Sequence, residues 1–540
     1  MKIVKTSIFF IIDYILTSLV KMKVEGVYME KFPWWNEKQK KLADEVEDFA
    51  DECMPKVVAM VRQKRFPWDV MREVAKRGWF GILIPEKYGG LGKEYGVTAC
   101  CILAEELSRL GPIGLTFSDT MFGGTHQLVH FGTEEQKEKW LPRIARGEIL
   151  TGVCVTEPYV GSDAANIETV ARKEGDEWVI NGKKRFITNA GISEFYLVYA
   201  KTSDDPQDRR KYQHLSAFIV EKDRPGLSVE RITDLSGWEG VFNGYLDFNE
   251  VRVPEENLLG KVGYGWLIMM SGFNLERTVV AAGCLGQMKE ALRYAVFHTN
   301  RRVQFGVRTA DIPVNQFKIA DIIWRYRLSR LIVYYAAYLL DQGYQPLLDA
   351  TTAKLFATES LMKISIDAIQ CMGGDGWTKF YPVEEIFRSA KVMEIVAGTN
   401  EIMRLILYRQ GTKMLSRNLR PPLRRMNKEL KLPVPYFKTQ PFVVKEDITQ
   451  EDILKVLADN YVVNPGLYMT KEDIKMIMSI GDEKLDKLLL ELEEKELVKL
   501  FKGRKGEILM VRPTYKGLKE AYPLEHYKWF PEWLNQEDLR

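Results

Sequence analysis

Histidine and cysteine are scarce, at five and six in 540 residues. The cysteines, Cys53, Cys100, Cys101, Cys154, Cys284 and Cys371, form no C-x-x-C pair, and no histidines accompany them at metal-ligand spacing. This usage predicts a reducing compartment, the cytoplasm, and no structural metal. No G-x-G-x-x-G follows a strand, so a bound dinucleotide is not held by a Rossmann turn. The stretch YGGLGK, Tyr88 to Lys93, lacks the glycine five positions before Gly92 and the hydroxyl after Lys93; it reads as a surface turn, not a phosphate loop. Long apolar runs are missing too. Ser7 to Val20 is too short to span a bilayer, is interrupted by Asp13 and precedes no signal-cleavage pattern. Residues 1–30 are expected to be a passive extension, with Met22 and Met29 as alternative starts, and a membrane partner is not expected. The net charge of +3 is small, and no basic stripe marks a nucleic-acid binder apart from a short run at Arg417 to Lys431.

What is present is an ordinary globular balance, 46% hydrophobic and 28% charged, in a chain long enough for several domains. From Trp34 to Gly147 apolar and charged residues alternate at helical spacing, and Thr133 with Gln136 forms a capping-box pattern. From Leu150 to Pro254 the runs GVCVTE, EWVI, KRFIT, EFYLVYAK and SAFIV are β-branched or aromatic, with Asn181-Gly182 expected as a hairpin turn. Beyond Gly265 long helices resume, stopping at Gly343 and at Gly373-Gly374. The predicted fold is α+β multidomain: a helical domain (31–149), a middle β-barrel domain (150–258) and a four-helix bundle (259–415). Residues 416–443 hold the linker RNLRPPLRRMNKELKLPVP. Residues 444–540 are a small accessory domain, where two helices and a strand pair resemble a winged helix.

Thr156, Ser162 and Thr188 place hydroxyls at the ends of apolar β-runs, and Gly161 permits close backbone approach, a wall suited to a flat heteroaromatic ligand. The ordered motifs C-V-T-E-P-x-x-G-S-D, I-N-G-x-K-x-x-I-T-N, G-x-x-x-E-R-x-V-x-A-A-G, Q-x-x-G-G-x-G and A-G-T-N-E-I closely resemble the acyl-CoA dehydrogenase family over Phe32 to Gln410. The resemblance implies an FAD enzyme that desaturates acyl-CoA thioesters in fatty acid β-oxidation. It places Val155 and Thr156 along the flavin ring, Phe186, Ile187 and Thr188 at its other edge, and Ser162 at the pyrophosphate and pantetheine side. Arg302, Gln304, Phe305, Gln316, Gln370 and Gly374 would hold the adenine half of FAD, reaching a neighbouring subunit, which implies a homo-oligomer, dimer or tetramer. Thr399 and Glu401 would contact the flavin or its loop, and Asn274, Arg277 and Gly398 the substrate. Two positions depart from the family: Phe stands at 186 where Trp is frequent, and the segment between Gly306 and Gln316 is about three residues longer.

Most of the family carries its base as Glu before Gly-Thr, a position held here by Ala397. Glu276 on the preceding long helix compensates, an exchange similar to that in the isovaleryl-CoA branch and in long-chain relatives. By the same resemblance the Ala397 amide donates to the thioester oxygen. Two other readings share this resemblance: an acyl-CoA oxidase, and a nucleic-acid-associated flavoprotein of the alkylation-response type. Residues 441–540 hold 16 Lys and Arg against 20 Asp and Glu, which argues against DNA. Electron-transferring flavoprotein is the expected acceptor.

Overall fold

The computed structural model describes residues 31–415, 447–463, 466–503 and 506–527. The expectations for residues 1–30 and for the linker 416–443 lie outside the described residues. The chain divides into two compact units, Met1–Met414 and Leu415–Arg540.

The first unit begins with six helices, α1 Glu37–Val61, α2 Trp68–Lys76, α3 Gly96–Ser108, α4 Pro112–Thr120, α5 His126–Phe131 and α6 Glu134–Ala145. α1 opens on a capping box between Asn36 and Gln39, and α6 on the expected one between Thr133 and Gln136, so the orphan amides of both first turns are satisfied by side chains. α3 is buried nearly all round. Its charged residues are therefore paired: Arg109 meets Glu106, Asp51 and Glu290, while Glu105 accepts from Arg330 (3.0 Å) and Tyr334 (2.5 Å).

The strands are β1 Thr151–Cys154, β2 Val170–Glu174, β3 Glu177–Thr188, β4 Phe195–Lys201, β5 Leu215–Glu221, β6 Leu227–Ile232, β7 Asn243–Pro254 and β8 Leu258–Leu259, with the short helix α7 Pro206–Arg210 between β4 and β5. The sheet order is β6-β7-β3-β2-β4-β5-β8, and β1 pairs with β4 in parallel. Two expectations are corrected here. The sheet is not a closed barrel, because β6 and β8 end the path without pairing to each other. Nor is Asn181-Gly182 a hairpin turn: it lies inside β3 at a register shift against β7, and the β2–β3 turn is Gly175-Asp176. Gly182 is needed because a Cβ there would lie 2.4 Å from Thr169 Oγ1.

Alternate residues of β4 enter different cores. Phe195, Leu197 and Tyr199 join the helices, whereas Tyr196 and Val198 join Trp178, Phe218 and Phe248 within the sheet layer.

The helices resume with α8 Gly265–Thr299, followed by a hairpin of β9 Val303–Gln304 and β10 Val307–Arg308, then α9 Pro313–Asp341, α10 Leu347–Met372, α11 Val383–Met393, α12 Asn400–Ile406 and α13 Thr412–Leu415. α8, α9 and α10 pack on one another, and α11 lies against α8 and α10. The architecture of this unit is thus helical, mixed sheet, helical.

The second unit contains α14 Gln450–Val463, β11 Met469–Thr470, α15 Lys471–Met478, α16 Asp482–Glu494, β12 Val498–Lys502, β13 Ile508–Pro513 and α17 Tyr515–Ala521. Its strands pair antiparallel in the order β11-β13-β12 around a separate core that includes Ile453, Leu457, Ile474, Leu489 and Val511.

Candidate active site

One wall of the site is made where β1 ends. Its continuation, Val155 and Thr156, is stitched to β3 by the Arg185 amide, which donates to the Thr156 carbonyl at 2.8 Å. Beneath it Lys184 Nζ donates to Val155 O (3.2 Å), to Tyr199 O (2.8 Å) and to Glu157 Oε1 (2.7 Å). The second register shift of β3 falls between Lys184 and Ile187. There Phe186 takes a left-handed φ of 57° and stays 45% exposed, with its carbonyl accepting from Asn243 Nδ2 at 3.0 Å. Val155 and Thr156 therefore lie beside the stretch of β3 that carries Phe186, Ile187 and Thr188. Ser162 is exposed on the turn that follows, and a Cβ added at Gly161 would meet nothing within 4 Å. Hydroxyls at half-buried strand ends, an accessible ring and open space at Gly161 fit an isoalloxazine edge and its diphosphate tail.

A second element of the site is α8. Glu276 lies in its middle, half-buried, and burial pushes its carboxyl up to about 7 despite the opposing charges of Arg277 and Lys354. Its charge reaches two groups on other elements. Asp119 of α4 is buried, has Oδ2 without a hydrogen-bond partner, and is held well above the carboxylate range by desolvation and then by Glu276. Tyr199 of β4 is buried with its hydroxyl unpartnered. Arg277 is also buried, 5.0 Å above the Phe273 ring, and its Nε has no partner. Asn274 bonds Gln345 Oε1 at 3.2 Å.

The loop between α11 and α12 completes the site. Ala397 and Gly398 adopt left-handed φ values of 56° and 88°. Thr399 Oγ1 accepts from the Ile402 amide at 3.3 Å, so its hydroxyl is used as the cap of α12, with Glu401 exposed in the first turn. Lys354 of α10 donates to Gly398 O at 2.9 Å and feels the charge of Glu276. Glu276 and the Ala397–Gly398 turn thus share one neighbour.

The sequence reading missed Lys354, Asp119 and Tyr199. The available signal was a lysine inside the small-residue face Ala350, Ala353, Ala357, and a carboxylate between Ser118 and Thr120 in a segment with almost no other charge.

The expected adenine-half residues are not brought to Glu276. Arg302, Gln304 and Phe305 occupy the β9–β10 hairpin after the end of α8, about 35 Å from Glu276 at 1.5 Å per helical residue. Gln316 begins α9, Gln370 ends α10, and Gly374 follows it; all six are exposed. His298 Nε2 to Asp375 Oδ2 at 2.8 Å and Lys318 Nζ to Asp367 Oδ1 at 3.6 Å hold these segments at one end of the helices.

Family models of the acyl-CoA dehydrogenase N-terminal, middle and C-terminal domains match residues 36–148, 152–251 and 263–412. An acyl-CoA dehydrogenase of Bacillus subtilis is 40% identical over 364 residues, 67% of this chain and 94% of its own length. Mitochondrial isovaleryl-CoA dehydrogenase of Oryza sativa is 36% identical over 380 residues, covering 70% and 91%. The solved structure of butyryl-CoA dehydrogenase from Megasphaera elsdenii superposes with a TM-score of 0.67 at 32% identity, covering 70% of this chain and 98% of that one. Three consecutive domain matches, on a fold of helical, mixed-sheet and helical parts, make this chain a member of the FAD-dependent acyl-CoA dehydrogenase family.

Proposed function

We propose that Glu276 is the base that removes the α-proton of an acyl-CoA thioester, and that the Ala397 amide holds the thioester oxygen. The observation that carries this reading is the carboxyl of Glu276, raised to about 7 by burial and close enough to Asp119 and Tyr199 for its charge to reach them, in a chain with alanine at the family's other base position. Bound FAD supplies the acceptor for the β-hydride. Val155, Thr156, Phe186, Ile187 and Thr188 line its ring, and Ser162 lies toward its diphosphate. Glu276 takes the proton onto its carboxylate; the Ala397 amide meets the oxygen as negative charge develops there. Burial of Asp119, Tyr199 and Arg277 around the carboxylate keeps water from competing for the proton. Arg277, Asn274 and Gly398 shape the substrate side.

The protein acts as a homo-oligomer in which Arg302, Gln304, Phe305, Gln316, Gln370 and Gly374 of one subunit serve the adenine half of FAD in another. Their distance from Glu276 supports this, as does the apolar stripe Phe317, Trp324, Leu328, Leu331 and Tyr335 exposed along α9. The divisions 31–149, 150–258 and 259–415 are the working domains, the last as a four-helix bundle, and 444–540 is a winged-helix-like module. Its acidic balance favours a protein contact over nucleic acid. Six free cysteines support a reducing compartment, read here as the cytoplasm; among the described residues no helix is long and apolar enough to cross a membrane. Branched short-chain and long-chain acyl groups both suit a helix-borne base.

The test is anaerobic titration of the flavin with a panel of acyl-CoA thioesters. Bleaching by a branched short-chain or a long-chain member, slow reoxidation in air and fast reoxidation by electron-transferring flavoprotein support the reading. Fast reoxidation by oxygen makes the protein an oxidase, and no bleaching by any thioester rejects the assignment.

A further inference from the structure

Two lysines among the described residues are completely sealed from solvent, Lys184 and Lys354, and they are treated differently. Lys184 has a carboxylate, Glu157, at 2.7 Å. Lys354 has none among the described residues: its three donors go to Glu394 O (3.2 Å), Gly398 O (2.9 Å) and Asn400 Oδ1 (2.9 Å), all uncharged oxygens. The carboxylate of Glu394 turns away to Lys391 at 2.5 Å. Burying an ammonium without a counterion is costly, and two carbonyls with an amide oxygen offset only part of that cost. The arrangement makes sense where negative charge comes and goes nearby.

Two such charges exist in the proposed reaction: the Glu276 carboxylate, whose charge Lys354 feels, and the thioester oxygen proposed at the Ala397 amide, next to the Gly398 carbonyl that Lys354 holds. The loop oxygens it holds bracket Ala397, and the strained turn there, left-handed at two successive residues, has no hydrogen bond of its own that would fix it beyond Asn400 N to Glu394 O at 2.9 Å. Thr358 Oγ1 supports the same assembly from α10, 3.2 Å from Asn400 Oδ1. We propose that Lys354 is a positioning residue for the reaction: it pins the Ala397–Gly398 turn to α10 and keeps an uncompensated positive charge behind the thioester oxygen and beside Glu276. This rests on the roles given above to Glu276 and Ala397.

The groups that set the charge around Glu276 are Arg277 on its own helix, Lys354 on α10, Asp119 on α4 and Tyr199 on β4. Removing Lys354 takes away one of the two cations that favour the ionised carboxylate, so the base then needs a higher pH.

The experiment uses FAD-loaded Lys354→Met and Asn400→Asp. The second keeps the lysine and its loop contacts but gives it a counterion, so it separates charge from scaffolding. Both are expected to retain FAD and to bind acyl-CoA within several-fold of wild type. Anaerobic flavin reduction is expected to fall 10-fold or more, with the pH at half-maximal rate moved upward. Wild-type rate and an unmoved pH profile in Asn400→Asp overturn the proposal, even if Lys354→Met does not fold. Glu276→Gln distinguishes the failures: if it keeps turnover, the reading of the base is wrong; if it loses turnover while Asn400→Asp is unaffected, only the role of Lys354 is wrong.

Discussion

The Lys184 ammonium lies 2.7 Å from Glu157 Oε1 with both side chains closed to solvent, directly under the strand end formed by Val155 and Thr156. Glu157 also accepts from the amides of Glu168 (2.6 Å) and Thr169 (3.0 Å), so one ion pair fixes that strand end to the segment that returns into β2. Glu157→Gln leaves a buried cation without its partner. It should cost about 3–5 kcal/mol in denaturant unfolding, and lower the FAD retained through gel filtration. Unchanged unfolding and full FAD occupancy would mean that the pair is dispensable.

A base held near neutrality makes the reaction pH-dependent in a definite direction. The rate of flavin reduction at saturating acyl-CoA is expected to rise with pH and to level off above about 7, where Glu276 is ionised. Stopped-flow absorbance at several pH values checks this. A rate that is flat from pH 5.5 to 8.5 would assign the base elsewhere.

The same raised carboxyl has a stability consequence of opposite sign. Between its ordinary value of 4.5 and about 7 the folded protein holds a proton that the unfolded chain has lost, so stability contributed by this site falls as pH rises through that window. Glu276→Gln, neutral at every pH, should therefore be more stable than wild type at pH 8, by on the order of 1–3 kcal/mol, and should have no such advantage at pH 4. Thermal unfolding of both proteins at the two pH values measures the difference.

The exposed stripe on α9 predicts a subunit contact. Leu328→Glu, together with Phe305→Ser on the β9–β10 hairpin, should reduce the mass seen by light scattering and release FAD, because the adenine half loses its neighbouring subunit. Wild-type mass and flavin content would exclude this face as the interface.

Much of this was readable from the amino acids. The order of helical, β and helical segments followed from periodicity, and the capping box at Thr133 and Gln136 formed as expected. The alanine at 397 and the glutamate at 276 stood out only against the family pattern, and the role proposed for Glu276 starts from that pair. What escaped depends on contacts far apart in sequence. Asn181-Gly182 has the composition of a hairpin turn, yet Gly182 is there to let Thr169 approach, and the turn was taken by Gly175-Asp176 instead. Closure of the sheet depends on whether β6 meets β8, which no local pattern encodes. Lys354 went unnoticed because only the fold brings Glu394, Gly398 and Asn400 to its ammonium.

The assignment of the base is tested most directly by anaerobic stopped-flow reduction of the flavin in Glu276→Gln. The variant is expected to hold FAD and bind acyl-CoA while reduction slows by ~10²-fold or more, the scale of a missing acid–base group. Reduction within a few-fold of wild type would show that another group takes the α-proton.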